Sequence, residues 1–178
     1  YPAKVMTAGE GGFIVTNNKK LRDKLLMIRN HGMLKGYDTR LLGLNLRLPE
    51  INAAIATVQM KKLPKFLKTR EKNAKLLSKL LSKSNLDLPV ERKNENVNWY
   101  LYTVTTPKRN MLLKKLNAKG IGAASYYPIP VHKTPFYKSK TKLPITDWAA
   151  SNVLSLPIHP KVTAKNIEFI AKTVSEIL

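Results

Sequence analysis

Along most of the chain, apolar positions recur every three to four residues, and this period predicts a succession of helices. After Asn17-Asn18, the residues Leu21, Leu25, Leu26 and Ile28 share one face, and His31-Gly32 ends the run. Residues 33–47 are irregular. Pro49 suits the first turn of a second helix, in which Ile51, Ala54, Ile55, Val58 and Met60 to Leu63 keep the helical period. Pro64 predicts a break or kink. Beyond it Phe66, Leu67, Arg70, Ala74, Leu77 and Leu80-Leu81 carry a third helical pattern to about Ser84. A long kinked helix of this kind commonly links two domains.

Elsewhere the period shortens. Residues 11–16 read as a short strand behind a glycine turn. Asn98 to Thr105 is rich in aromatic and β-branched residues and reads as another strand. A helix from Arg109 to Ala118 follows, stopped by Gly120, and Ile121 to Tyr127 fits a second strand. Four prolines, Pro128, Pro130, Pro135 and Pro144, make residues 128–147 mostly loop. Asp147 is placed to cap a helix to about Leu154, and Leu156 to Pro160 reads as extended. Thr163 caps a last amphipathic helix bearing Ile167, Ile170, Val174, Ile177 and Leu178. This order predicts a small α/β layer packed on the kinked helix.

Composition narrows the class. The 178 residues fit one ordinary domain or two small ones, and 43% apolar content suffices for a core. No run approaches the ~20 apolar residues of a membrane span. Tyr1-Pro2-Ala3-Lys4 lacks the apolar core of a signal peptide, nothing points to secretion, and a cytoplasmic location is expected. The absence of cysteine excludes disulfides and thiolate metal sites. His31, His132 and His159 lie far apart and form no helical metal-binding pair, so no zinc site is expected. The net charge of +21 attracts anions. Residues 65–83 alone carry Lys65, Lys68, Arg70, Lys72, Lys75, Lys79 and Lys83. No arginine cluster is interleaved with aromatics as a stacking platform needs. A solvated lysine-rich surface is the simpler account, and an absent acidic partner segment would explain part of the imbalance.

There is no Walker loop, dinucleotide fingerprint or nucleophile elbow. The candidate chemistry is Lys4, which stands ahead of the turn Gly9-Glu10-Gly11-Gly12. A lysine is an amine nucleophile when its surroundings favour the neutral form. Taken alone, such a residue is more often a surface lysine.

Lys4 to Gly12 does not stand alone. Arg29-Asn30-His31-Gly32 follows it, then Gly43-Leu44-Asn45-Leu46-Arg47-Leu48, then Ala53-Ala54 with Gln59 and Leu63. Tyr127-Pro128-Ile129-Pro130-Val131-His132 and Leu156-Pro157-Ile158-His159-Pro160 complete the series. In that order these segments resemble the DegT/DnrJ/StrS family of pyridoxal-phosphate sugar aminotransferases over nearly the whole chain. Leu46 stands where the family usually has Tyr, and Thr7-Ala8 replaces the commoner Thr-Thr. The chain looks like roughly the second half of a family member.

The resemblance implies an α/β fold, the C-terminal part of a fold type I aminotransferase. Residues 1–48 would end the large cofactor-binding domain, 49–84 would form linking helices, and 85–178 a small α/β domain. Lys4 would hold pyridoxal 5'-phosphate and shuttle a proton as the amino group moves from glutamate to a keto-sugar nucleotide. A lysine rather than a histidine there favours transamination over dehydration. Asn45 would reach the cofactor phosphate of a second subunit in a homodimer, with a loop asparagine bonding its own backbone as the alternative. Arg47 would bind a substrate carboxylate or a helix-end carbonyl. His132 and, more weakly, Tyr127 are candidate contacts to the nucleotide sugar. The carboxylate for the pyridine nitrogen, the ring-stacking aromatic and most phosphate ligands would lie in the absent N-terminal half. This polypeptide alone is therefore expected neither to hold the cofactor tightly nor to transaminate. The alternative is a basic non-catalytic module binding nucleic acid or another anionic partner. Steeply salt-dependent binding that survives Lys4→Ala would mark it. A family member acting on a regulator is a third reading.

Overall fold

Asn18 opens the first helix, α1 (Lys19–Arg29), by accepting the Leu21 N–H at 3.0 Å, as an N-cap asparagine does. These and the elements below come from a computed structural model, which describes residues 4–178. The chain divides after Leu63 into two compact units.

The first unit holds α1, an ordered loop over residues 30–48 and the start of α2 (Glu50–Leu81). His31 and Gly32 turn the chain out of α1 with φ of 57° and 74°, and the Gly32 N–H closes onto the Met27 carbonyl at 2.8 Å. Gly32 has no alternative here, because a Cβ would lie 1.7 Å from the Leu41 carbonyl oxygen. Among the described residues of this unit only Gly32 is buried. The strand expected at residues 11–16 is absent: the segment has no ladder partner among the described residues, and Phe13, Ile14 and Val15 are 71–85% exposed. A short apolar run makes a strand only where a neighbouring edge accepts its backbone groups.

Of the break or kink expected at Pro64, the break does not occur. α2 runs through Pro64 as one helix of 32 residues. An interior proline removes one hydrogen bond and costs about 3 kcal/mol. Burial of Ala74, Leu77 and Leu81 offsets that cost, since a fully buried leucine contributes roughly 1.5–3 kcal/mol. The unit boundary nevertheless falls at Pro64.

The second unit is built on an antiparallel pair, β1 (Tyr102–Thr105) and β2 (Val153–Leu156), in the register Tyr102↔Leu156 to Thr105↔Val153. Single bridges extend it outward, Asp87 to Thr105 and Ala124 to Ser155. Helices α3 (Arg109–Ala118), α4 (Pro144–Asn152) and α5 (Ala164–Ile177) complete it. The core joins Leu77 and Leu81 of α2 to Tyr102, Val104, Leu112, Leu116, Leu154, Leu156, Ile167, Ile170 and Val174. α5 opens with a capping box in which Thr163 and Asn166 satisfy each other's backbone N–H groups.

Three boundaries differ from the sequence reading. β1 starts at Tyr102 rather than Asn98, because Trp99 adopts φ of 49° and leaves the extended region. The strand expected from Ile121 to Tyr127 shrinks to its one bridge at Ala124. α4 starts at Pro144 and ends at Asn152, so Asp147 lies in its first turn instead of capping it, and Val153-Leu154 belong to β2. Proline is preorganised for a first helical turn. Among the described residues no helix is long and apolar enough to cross a membrane, and no cluster of acidic, His or Cys residues could hold a metal.

Candidate functional site

Lys4 is exposed at the head of the glycine turn. The turn is folded by the Thr7 hydroxyl, which accepts the Gly9 N–H at 3.0 Å. Gly9 and Gly11 have φ of 85° and 142°, conformations that favour glycine. Asn52, in the first turn of α2, donates its side-chain amide to the Glu10 carbonyl at 2.7 Å. The turn is therefore pinned to a helix through Glu10's backbone.

In the same unit, residues 44–46 lie antiparallel to the end of α1. The Leu44 and Leu46 N–H groups bond the Ile28 and Arg29 carbonyls at 2.9 Å each, and Asn45 bridges Asn30. This pairing leaves the Asn45 side chain exposed. Arg47 donates to Asn30 Oδ1 at 2.7 Å. A cavity of about 500 Å³ opens here, lined by Asp23, Met27, Arg29, Asn30, Met33 and Arg47. Asp23 is engaged by Arg22 at 2.7 Å, leaving the Arg29 and Arg47 guanidiniums as the cations of the cavity wall. Guanidinium pairs suit carboxylate or phosphate. Arg47 thus bonds a side chain, not the helix-end carbonyl considered from sequence.

The second unit carries the other two candidates. Tyr127 has φ of 55° and is 77% exposed. His132 sits in a 3-10 turn, Val131–Lys133, with a side chain only 12% exposed and Nε2 3.7 Å from Asp147 Oδ1. Lys133 Nζ approaches the same oxygen at 2.8 Å, an ion pair by distance that lacks hydrogen-bond alignment. Asp147 therefore faces both residues of the turn. His159 opens a turn: its carbonyl accepts the Val162 N–H at 2.8 Å. Burial, helped by the Arg70 charge, pushes its imidazole below the usual histidine value.

A model of the DegT/DnrJ/EryC1/StrS aminotransferase family matches residues 1–175. The chain belongs to that family. It is 36% identical to dTDP-3-amino-3,4,6-trideoxy-alpha-D-glucose transaminase of Streptomyces venezuelae, over 90% of this chain and 44% of that protein. It is 34% identical to a pleiotropic regulatory protein of Geobacillus stearothermophilus, over 99% of this chain and 50% of that one. The crystal structure of a DegT DnrJ EryC1 StrS aminotransferase from Brucella abortus superposes with a TM-score of 0.90 at 28% identity, covering 98% of this chain and 48% of the other. The chain spans about half the length of the relatives it matches. The fold is accordingly that of a fold type I aminotransferase segment.

In this DegT/DnrJ-family chain the donor set fits pyridoxal phosphate in kind. A primary amine on Lys4 answers an aldehyde, and the exposed Asn45 amide answers a phosphate. In the turn itself, a Cβ at Gly11 would meet Leu48 Cδ1 at 2.5 Å, while one at Gly12 would meet nothing. Sequence reasoning missed Asn30 and Asn52 as supports. The motif Arg29-Asn30-His31-Gly32 contained the signal for Asn30; Asn52 carried none beyond its place after Pro49.

Proposed function

We propose that this chain carries the cofactor lysine and part of the substrate site of a pyridoxal-phosphate-dependent aminotransferase, which moves an amino group from glutamate to a keto-sugar nucleotide. The observation that carries the reading is Lys4, exposed at a glycine turn held by Asn52, in a chain of this family. The cofactor, when bound, supplies the electron sink that protein side chains lack. Lys4 would hold it through its side-chain amine, and the same Nζ would take up and return the proton that amino transfer requires. Asn45 donates its amide to the phosphate across a homodimer interface. Arg47, steadied by Asn30, takes a carboxylate in the cavity it shares with Arg29. His132, held against Asp147, and the exposed Tyr127 contact the nucleotide sugar. Residues 1–48 belong to the large cofactor domain, 49–84 to the linking helix and 85–178 to the small domain of a cytoplasmic enzyme. Charge was the sole support for a nucleic-acid module, and the relatives add none.

The test is amino transfer from glutamate to keto-sugar nucleotides in the protein expressed from its native reading frame, combined with borohydride trapping of pyridoxal phosphate and peptide mapping. Trapping concentrated on Lys4, with transfer abolished by Lys4→Ala, is expected. Label spread over lysines in proportion to their exposure, or transfer that survives Lys4→Ala, refutes the reading.

A further inference from the structure

Five lysines of α2, Lys65, Lys68, Lys72, Lys75 and Lys79, recur at alternating intervals of three and four residues. At 100° per residue they fall within an arc of about 80°, and at 1.5 Å per residue they span about 21 Å. All five are exposed. The opposite side of the same turns is fixed in the core, where Arg70, Asn73, Ala74, Leu77 and Leu81 are buried. Packing thus decides which face the lysines present, and this stretch of helix cannot roll to hide them.

A helix face left to water is ordinarily balanced by acidic residues three or four positions from each lysine. Here Glu71 is the sole acidic residue between Lys65 and Lys79, and it pairs with Lys75. Lys68 has Lys65 and Lys72 as its neighbours on the face, and Lys79 has Lys75. Such like-charge spacing destabilises a helix. An external anion would relieve it.

We propose that this face of α2 docks an acidic helical segment of a polypeptide partner, bearing Asp or Glu at the same three-four spacing. Two helices laid side by side keep such positions facing each other along their length. A second copy of this chain is a poor occupant of this face, since none of its described helices carries more than two acidic residues. Membrane insertion needs an apolar face beside the charges, and that face is in the core. Single-stranded nucleic acid needs stacking aromatics, and none lies between Lys65 and Lys79 except the partly buried Phe66. A duplex backbone winds about its axis, so a straight row of lysines meets it at one crossing, whereas an aligned acidic helix faces all five. Lysines also act as point charges without the arginine fork that reads paired phosphate oxygens.

The experiment measures binding of the full chain to an alanine-based helical peptide of about 20 residues with Glu at three-four spacing. A peptide of the same composition with Glu spread around the helix serves as the comparison. Lys65→Gln, Lys68→Gln, Lys72→Gln and Lys79→Gln are combined in one variant. Lys115→Gln, Lys119→Gln, Lys140→Gln and Lys142→Gln, exposed elsewhere, form a second variant of equal net charge. The first is expected to weaken binding about ten-fold or more and the second less than about two-fold, with circular dichroism unchanged in both. The rearranged peptide should bind at least several-fold more weakly. Equal losses in both variants, equal binding of both peptides, or no binding at low salt overturns the proposal. Tighter binding of a DNA duplex with the same dependence on the four lysines also overturns it and assigns the face to nucleic acid. None of these outcomes bears on amino transfer.

Discussion

Arg109→Met tests how the small unit holds its His132-facing helix. Arg109 is 7% exposed, and no carboxylate pairs with it among the described residues. Its Nε donates to the Ser151 carbonyl at 3.1 Å and its Nη2 to the Ala150 carbonyl at 2.9 Å, at the C-terminal end of α4. Its Nη1 donates to Ser125 Oγ. The cation thus stands where α4's dipole is negative and where helix carbonyls lack partners. Methionine keeps the apolar stem and removes every donor. Charged hydrogen bonds contribute about 1.5–3 kcal/mol each, and one buried and one partly buried carbonyl would lose their partner, so a loss of about 2–4 kcal/mol is expected. Urea unfolding followed by fluorescence reads it, because Trp99 and Trp148 both lie in this unit. Lys108→Met, at an exposed neighbour, should stay within about 0.5 kcal/mol. A loss below about 1 kcal/mol for Arg109→Met would refute the reasoning and show that water already serves these carbonyls.

Three further outcomes follow from the geometry. Gly32→Ala places a Cβ 1.7 Å from a backbone oxygen at φ of 74°, so the loop over residues 30–48 should lose its amide protection in hydrogen exchange, with a penalty above about 2 kcal/mol. Asn52→Ala frees the Glu10 carbonyl and should speed exchange and proteolysis at Gly9 to Gly12 while global stability falls by about 1 kcal/mol or less. Because the folded state depresses the His159 pKa, its contribution is present above the ordinary value of 6.5 and is lost as pH falls below it, through the folded value. Stability measured from pH 8 to about pH 5 should decline less steeply in His159→Gln.

What the sequence made legible was the helical period and its punctuation. Thr163 caps the helix it was expected to cap, because capping depends on residues three positions apart, and α3 keeps its expected ends. What it hid was partnership. β2 replaced an expected helix end because Val153 to Leu156 find β1 some fifty residues away, a match no local period reports. Residues 11–16 have a strand-like apolar run, Phe13-Ile14-Val15, and find no edge among the described residues. In the candidate site the motif order pointed to Lys4, Asn45, Arg47, Tyr127 and His132. Their supports, Asn52, Asn30 and Asp147, depended on contacts across tens of residues or between a loop and a helix.

The two halves of α2 show why periodicity could not close that gap. Before Pro64, Ile51, Ile55 and Val58 keep a helical spacing and are 41–75% exposed; after it, Ala74, Leu77 and Leu81 keep the same spacing and are at most 1% exposed. One pattern yields opposite burial within one helix. A hydrophobic stripe states a demand for cover and is silent about the supplier. In the second unit β1, α3 and α5 supply it. In the first, the described residues do not, and Ile51 and Ile55 stand exposed. Ile51→Ser and Ile55→Ser should therefore leave the stability of the isolated chain within about 0.5 kcal/mol, where Leu77→Ala costs about 2–5 kcal/mol. A loss at Ile51 or Ile55 comparable to that at Leu77 would show that the first unit buries this face in solution.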